Sequence, residues 1–183
     1  YPHPDRLHYA TTQFPGLGFN QFWMSLPEFV EFRDNNQAFS SIGAYSVGAV
    51  NLDTQPPSRP VSALVTSELM PTLNVQPLTG RWFTAADTVP NAPPVAILSY
   101  ELWQRAYAGD PGIVGKTVQI NNASEEIVGI MPRGYDVHDS KIEIWRPLTI
   151  NPANFANSRG SHFLYLVGRL KDGVTPPQAL ADI

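Results

Sequence analysis

The sequence contains no cysteine, which excludes disulfide scaffolds, thiol catalysis and cysteine-ligated zinc. Charge is scarce as well. Charged residues make up 15% of the 183, with 12 Lys+Arg against 16 Asp+Glu, and no basic run or stripe appears, so nucleic acid is not an expected partner. No apolar run approaches the ~18 residues of a membrane span. The opening YPHPDRLHYATTQF also lacks the charged flank and apolar stretch of a secretion signal. Taken alone the chain reads as soluble, or as a piece from between membrane segments. Proline, by contrast, is abundant. Its 18 residues are about twice the usual ~5%, and their scatter among short segments suggests a loop-rich fold. A chain of this length buries roughly 70% of its unfolded surface, so a real core is expected, in one large domain or two small ones.

The first twenty or so residues show no periodicity and read as an extended arm, residues 1–24. SLPEFVEFRDNNQAF then opens with a capping box, Ser25 and Glu28, with Pro27 where a missing N–H costs nothing. Leu26, Phe29, Val30 and Phe32 supply an apolar stripe, and Asn35 and Asn36 end the helix. IGAYSVGAVNL and RPVSALVTSEL flank the turn residues DTQPPS and predict a β-hairpin, followed by a short helix over 69–73. Thr84 and Asp87 mark a turn, PPVAILS a short buried strand, and Ser99 with Glu101 a helix carrying Leu102, Trp103 and Tyr107. KTVQINNASEEIVGIM reads as a hairpin turning at Asn121 and Asn122. EIWRPL is a further strand. HFLYLVGRL is apolar on both faces and so central to a sheet, and Thr175, Pro176 and Gln178 start a last helix. Because that central strand needs neighbours on both sides, its partners are expected from AYSVGAVNL or RPVSALVT, far back in the chain, which would bring Ser25 and Pro176 to the same end of the domain.

GDPGIVGKTVQI ends in the Gly-Lys-Thr of a phosphate-binding loop, but the spacing is wrong. The motif needs a glycine five residues before Gly115, where Asp110 stands, and Gly109 is one residue too early. The order is inverted too, with helix before and strand after. Lys116 and Thr117 are therefore read as parts of a helix-to-hairpin connection.

The remaining chemistry-bearing residues form no constellation. His3 and His8 flank Asp5 in the opening arm. His138 sits with Asp136 and Asp139 in GYDVHDS without a further ligand at helical spacing. His162 opens the long strand with no adjacent nucleophile. No serine lies in Gly-x-Ser-x-Gly. Glu125 and Glu126 alternate on a strand and cannot pair. Trp23, Trp82, Trp103 and Trp145 could form a stacking platform, but core packing is the expected role, while Arg81 in GRWF could make a subunit contact. No catalytic, cofactor-binding or metal-binding residue is assigned.

The segments LPEFVEFRDNNQAFSSIGAY, LTGRWFTAAD, PPVAILSYELWQRAYAGDPGIVGKTVQINNASEEIVGIMPRGY, IWRPL and YLVGRLKDGVTPPQALADI, in this order, resemble the MacB-like periplasmic core domain of ABC transporter permeases, including the acidobacterial group with FtsX-like membrane parts. The resemblance covers about residues 25–183. It implies an α+β fold in which a discontinuous porter-like α/β-sandwich subdomain (25–78 plus 149–183) carries an inserted mainly-β subdomain (79–148). It further implies a non-enzymatic periplasmic part of an inner-membrane efflux permease that relays conformational change and can contact substrate or partner proteins. The partners it implies are transmembrane helices of the same chain, an ABC ATPase acting from the cytoplasm, a second copy in a homodimer and a periplasmic adaptor. Two alternatives stay open on the residues alone, a free-standing periplasmic ligand-binding module and a hydrolase using His162 or His138.

Overall fold

The computed structural model describes residues 4–14, 16, 19–137 and 140–180, and the fold is α+β. The described residues form two compact units: residues up to Ser46, Glu68–Val75 and from Ile150 onward make the first, and Val47–Ser67 with Gln76–Thr149 the second. Residues 47–67, placed by the sequence reading in the porter-like part, thus group with 76–149. Pairing accounts for this, because β6 (Val61–Val65) runs parallel to β11 (Ile144–Pro147) from Ser62↔Ile144 to Val65↔Pro147, and Leu52 bridges Ile120.

In the first unit the apolar strand β12 (His162–Leu170) has the two neighbours its pattern demands. β5 (Phe39–Ala49) pairs antiparallel with it from Tyr165↔Tyr45 to Leu170↔Phe39. On its other side lies β1 (Leu7–Ala10), also antiparallel, from Leu7↔Arg169 to Ala10↔Leu166. The opening segment is therefore not only an arm. Four residues of edge strand are too few to show a period, and their order comes from the ladder to β12 rather than from local pattern. β2 (Thr12–Phe14) and β3 (Phe19–Phe22) form a separate antiparallel pair, and β4 (Met24–Ser25) joins the start of β12 at Ser25↔His162.

Helix α1 (Leu26–Asn35) begins where predicted, its Glu28 carboxylate accepting from the Ser25 N–H and the Ser25 hydroxyl, each at 2.8 Å. Phe29 is fully buried beneath it. α2 (Leu69–Leu73) lies directly on β5 at Gly43, where a Cβ would come within 2.4 Å of the Leu69 Cα.

The expectation that Ser25 and Pro176 share an end fails. Ser25 pairs with the first residue of β12, whereas Pro176, at the start of α5 (Pro176–Leu180), lines a groove with Leu170, Phe39 and His8 at the other end. The strand between them spans roughly 27 Å at about 3.3 Å per residue. The reason is that α1, about 15 Å long at 1.5 Å per residue, and the residues 36–38 that follow it carry the chain along β12, so that the Lys171 N–H meets the Ala38 carbonyl at 2.9 Å after the helix has ended. At the Leu170 end it is instead the first described residues that meet the last. The Arg6 guanidinium donates through Nε to the Leu170 carbonyl at 3.0 Å, with Nη2 on the same oxygen, and through Nη1 to the Asp172 carboxylate at 2.5 Å.

The second unit has the strand order β6, β11, β8 (Val95–Leu98), β10 (Ala123–Ile130), β7 (Thr79–Gly80), with β9 (Thr117–Ile120) hairpinned onto β10. Asn121 and Asn122 take φ of 51° and 65° in that turn, as the hairpin reading requires. Helix α3 (Tyr100–Tyr107) is capped by Ser99, whose hydroxyl accepts from the Leu102 N–H at 3.0 Å. Leu98, Leu102, Ile120, Ile127, Ile130 and Ile144 make its core, joined by Val50 and Leu52.

Candidate functional site

Gly-Lys-Thr has a structural role. Asp110, the residue that spoils the phosphate-loop spacing, accepts from the Gly112 N–H and from Lys116 Nζ, both at 2.8 Å. The hydrogen bond from Lys116, then that from Gly112, holds the Asp110 carboxyl below its ordinary value. Its carbonyl takes the Trp103 indole N–H at 2.9 Å, while the Gly115 and Lys116 N–H groups go to the carbonyls of Ile127 and Ile113. With Lys116 Nζ and the Gly112, Gly115 and Lys116 N–H groups so engaged, the donors a phosphate cradle needs are already in use within the fold. Millimolar Mg-ATP is expected to leave the melting temperature unchanged, since a ligand of the folded state alone must raise it. A saturable rise that vanishes in Lys116→Ala would overturn this.

The other polar candidates resolve in the same direction. Asp136 accepts from the N–H groups of Val137, Lys141 and Ile142 at 2.8, 2.7 and 3.3 Å, building its own loop, while His138 and Asp139 lie outside the described residues, as does His3. His8 Nε2 contacts the Asp5 carbonyl at 3.1 Å. A cavity of ≈ 460 Å³ beside Asp136 is lined also by Glu101 and Glu143, but Glu101 accepts from the Gly134 N–H at 2.9 Å and Glu143 pairs with Arg105 at 2.5 Å. Glu125 and Glu126 point apart as expected: Glu125 is buried in a two-point pair with Arg146, at 2.9 and 2.5 Å, and Glu126 is exposed. Among the described residues no group of three or more His, Asp or Glu side chains could hold a metal ion.

His162, Glu28 and Ser25 do come together, but in the wrong order for nucleophilic catalysis. The carboxylate is in the middle: the Ser25 hydroxyl donates to Glu28, and His162 Nε2 lies 3.3 Å from the same oxygen. A triad needs the imidazole between serine and acid. Ser25 is moreover fully buried. The geometry gives the hydrolase alternative at His162 no support.

The tryptophans divide. Trp145 is fully buried, Trp103 is tied to Asp110, and Trp82 donates to the Ser67 carbonyl at 3.0 Å. Arg81 in the same turn is engaged by Asp87 through two hydrogen bonds of 2.7 and 3.0 Å, which with the Thr84 cap lower the Asp87 carboxyl to about 2 against the opposing effect of burial. Trp23 departs from the core-packing expectation and is 44% exposed. It stands edge-on to Tyr165, whose ring stacks on the buried Tyr45 at 5.2 Å, and Phe22 packs against its other side. Trp23, Tyr165 and Phe22 line, with Tyr9, Thr11 and Leu164, a cleft of ≈ 200 Å³ whose described walls carry no charged side chain. This aromatic cleft lies within the first unit. Sequence reasoning missed it because Tyr9 and Phe22 lie in the segment read as an arm; the run of aromatics in QFPGLGFNQFW was the available signal.

The family model described as the MacB-like periplasmic core domain matches residues 2–183. Among solved structures, the chain is similar to the periplasmic region of MacB from Actinobacillus actinomycetemcomitans, with TM-score 0.69 and 13% identity, covering 96% of this chain and 78% of that one. It is similar to a domain described as that of a permease protein from Porphyromonas gingivalis, with TM-score 0.70 and 18% identity over 97% and 80% of the two chains. It also resembles the extracellular domain of the ABC-type transporter YknZ from Gram-positive bacteria, with TM-score 0.60 and 14% identity over 96% and 86%. No curated protein matches the chain in sequence. At these identities the structural likeness speaks for the fold.

Proposed function

From the premise that this chain belongs to the family of MacB-like periplasmic core domains, we propose that it is the non-catalytic extracytoplasmic part of an ABC-type efflux permease, relaying conformational change between the membrane and the outer surface. In this reading the first unit is the porter-like base and the second the inserted mainly-β part. Membrane helices of the same polypeptide adjoin the domain, a cytoplasmic ABC ATPase drives it, and a second copy completes a homodimer.

The observation that carries the reading is the meeting of β1 and the β12–α5 connection at one end of the first unit, fastened by Arg6 on Leu170 and Asp172. A turn applied to one of these segments is passed to the other through a ladder and a clasp rather than through a flexible loop. The aromatic cleft, formed around Tyr165 toward the other end of β12, is where substrate or a partner such as a periplasmic adaptor makes contact. Among the described residues no helix is long and apolar enough to cross a membrane. A full-length permease carrying Arg6→Ala is expected to keep its ATP hydrolysis while the ATP-driven displacement of the domain shrinks. Equal displacement in mutant and parent would refute the clasp.

A further inference from the structure

Arg146 uses only part of its guanidinium on Glu125. Nε and Nη2 donate to the two carboxylate oxygens at 2.9 and 2.5 Å, and among the described residues Nη1 has no partner. The arginine side chain is 27% exposed and the glutamate 1%, so the pair is buried on the Glu125 side and open on the other. It opens on a cavity of ≈ 150 Å³ in the second unit. The walls include Asn91, Pro93 and Pro94 from the segment before β8, Arg146 and Pro147 on β11, and Thr149, ahead of α4 (Phe155–Ser158) in the chain. The Asn91 amide and the Thr149 hydroxyl likewise make no hydrogen bond to a described residue.

We infer that this cavity binds one neutral peptide unit from an extended segment of a partner protein. The carbonyl oxygen accepts from Arg146 Nη1, the amide pairs with Asn91, and Pro93, Pro94 and Pro147 flank the neighbouring side chains. The site needs neither the relay nor the aromatic cleft of the first unit.

Charge and size select that ligand. Each carboxylate at the cavity is already matched by one guanidinium: Glu125 by Arg146, and Asp87 by Arg81 through two hydrogen bonds of 2.7 and 3.0 Å. Glu126 acts on Arg81 as well and adds a negative charge that no ion pair among the described residues cancels. An anion therefore finds no surplus positive charge, and a carboxylate would stand against Asp87 and Glu125. A neutral carbonyl oxygen meets no such repulsion, and Nη1 supplies the donor it needs. The amide of Asn91 offers one donating and one accepting group, the complement of a peptide unit. The prolines, lacking an N–H, put apolar surface on the rim and compete for no carbonyl. The volume lies below the roughly 300–1,000 Å³ of clefts that enclose drug-sized ligands, and suits about one residue of a chain.

A neutral blocked peptide, N-acetyl-tetraalanine amide, is the probe. In ¹⁵N-labelled chain, the Arg146 Nε–H and the Asn91 side-chain amide signals are expected to shift saturably at millimolar peptide, and to stay in place with sodium acetate at matched ionic strength. Asn91 takes φ of 63°, so glycine is the substitution its backbone tolerates. Asn91→Gly, which removes the side-chain amide, is expected to weaken peptide binding roughly 5–10-fold, the loss of about one net hydrogen bond. No saturable shift in the parent chain would overturn the inference, and an equal response to acetate would show an anion site in its place. Both of those outcomes are read on the parent and stand even if the variant does not fold. Peptide affinity unchanged in a folded Asn91→Gly would overturn it as well.

Discussion

Gly129→Ala is expected to lower the unfolding free energy by about 3 kcal/mol, the upper part of the usual overpacking range, and the melting temperature by roughly 6–12 °C. β7 crosses β10 at the glycine pair Gly80↔Gly129. A Cβ on Gly129 would come within 2.6 Å of the Arg81 carbonyl oxygen and 3.3 Å of the Thr79 oxygen, and both are backbone atoms that cannot swing aside. Gly80 is constrained from the other side, with φ +77° and a Cβ position 2.2 Å from the Val128 oxygen. The Arg81 N–H meets the Val128 carbonyl at 2.8 Å and the Leu78 N–H meets that of Ile130 at 2.8 Å, so any retreat of the strand breaks hydrogen bonds in the second unit. Gly48→Ala is the matched control, since a Cβ there meets nothing within 4 Å. Thermal melts in which the two variants behave alike would show that the crossing has more slack than its geometry allows.

Arg146→Ala is expected to cost about 3–5 kcal/mol, the usual consequence of stranding one member of a buried ion pair. Glu125, on β10, is 1% exposed, and Arg146, on β11, reaches it across the intervening β8. The pair therefore ties three neighbouring strands on one face of the second unit. Removing the arginine leaves a carboxylate that is neither solvated nor paired, which is costlier than removing the whole pair. Chemical denaturation of Arg146→Ala, Glu125→Leu and the double variant Glu125→Leu with Arg146→Met separates these costs. The double variant is expected to recover most of the stability lost by Arg146→Ala; if it is as unstable as that single variant, packing and not the stranded charge is responsible.

These two sites show what could and could not be read beforehand. Where one residue's side chain meets backbone three residues on, the sequence is sufficient: Ser25 with Glu28, Thr84 with Asp87 and Thr175 with Gln178 all make the reach-back contact their spacing implies. The Asn121–Asn122 turn is legible for the same reason, because few residue types tolerate its positive φ. The apolar pattern of β12 correctly demanded two neighbours and found one of them in β5. It could not name β1, whose four residues carry no period, nor reveal that β6 runs parallel to β11, since parallel partners are joined by no local turn. The direction of α1 along β12 was likewise invisible, and with it the end at which the chain's outermost segments meet. The glycines of LTGRWF and IVGIM read separately as turn and strand residues; their meaning as one crossing appears only when Gly80 and Gly129 face each other. Of the candidate site, Trp23 was noticed but assigned to a core, because a tryptophan in an unpatterned segment gives no hint of which side of it is wet.

The central claim is that the domain moves as a relay while ATP is hydrolysed elsewhere. Asp34, on α1 and 54% exposed, offers a position for a spin label in each copy of the full-length permease, made otherwise free of cysteine and assembled with its ATPase. The distance between the two labels, measured by pulsed electron paramagnetic resonance with and without ATP trapped at the hydrolytic site, is predicted to shift by several ångströms, and to shift less in Arg6→Ala at undiminished hydrolysis. A distance distribution that ATP leaves unmoved, in a permease shown to hydrolyse it and to export, would contradict the account.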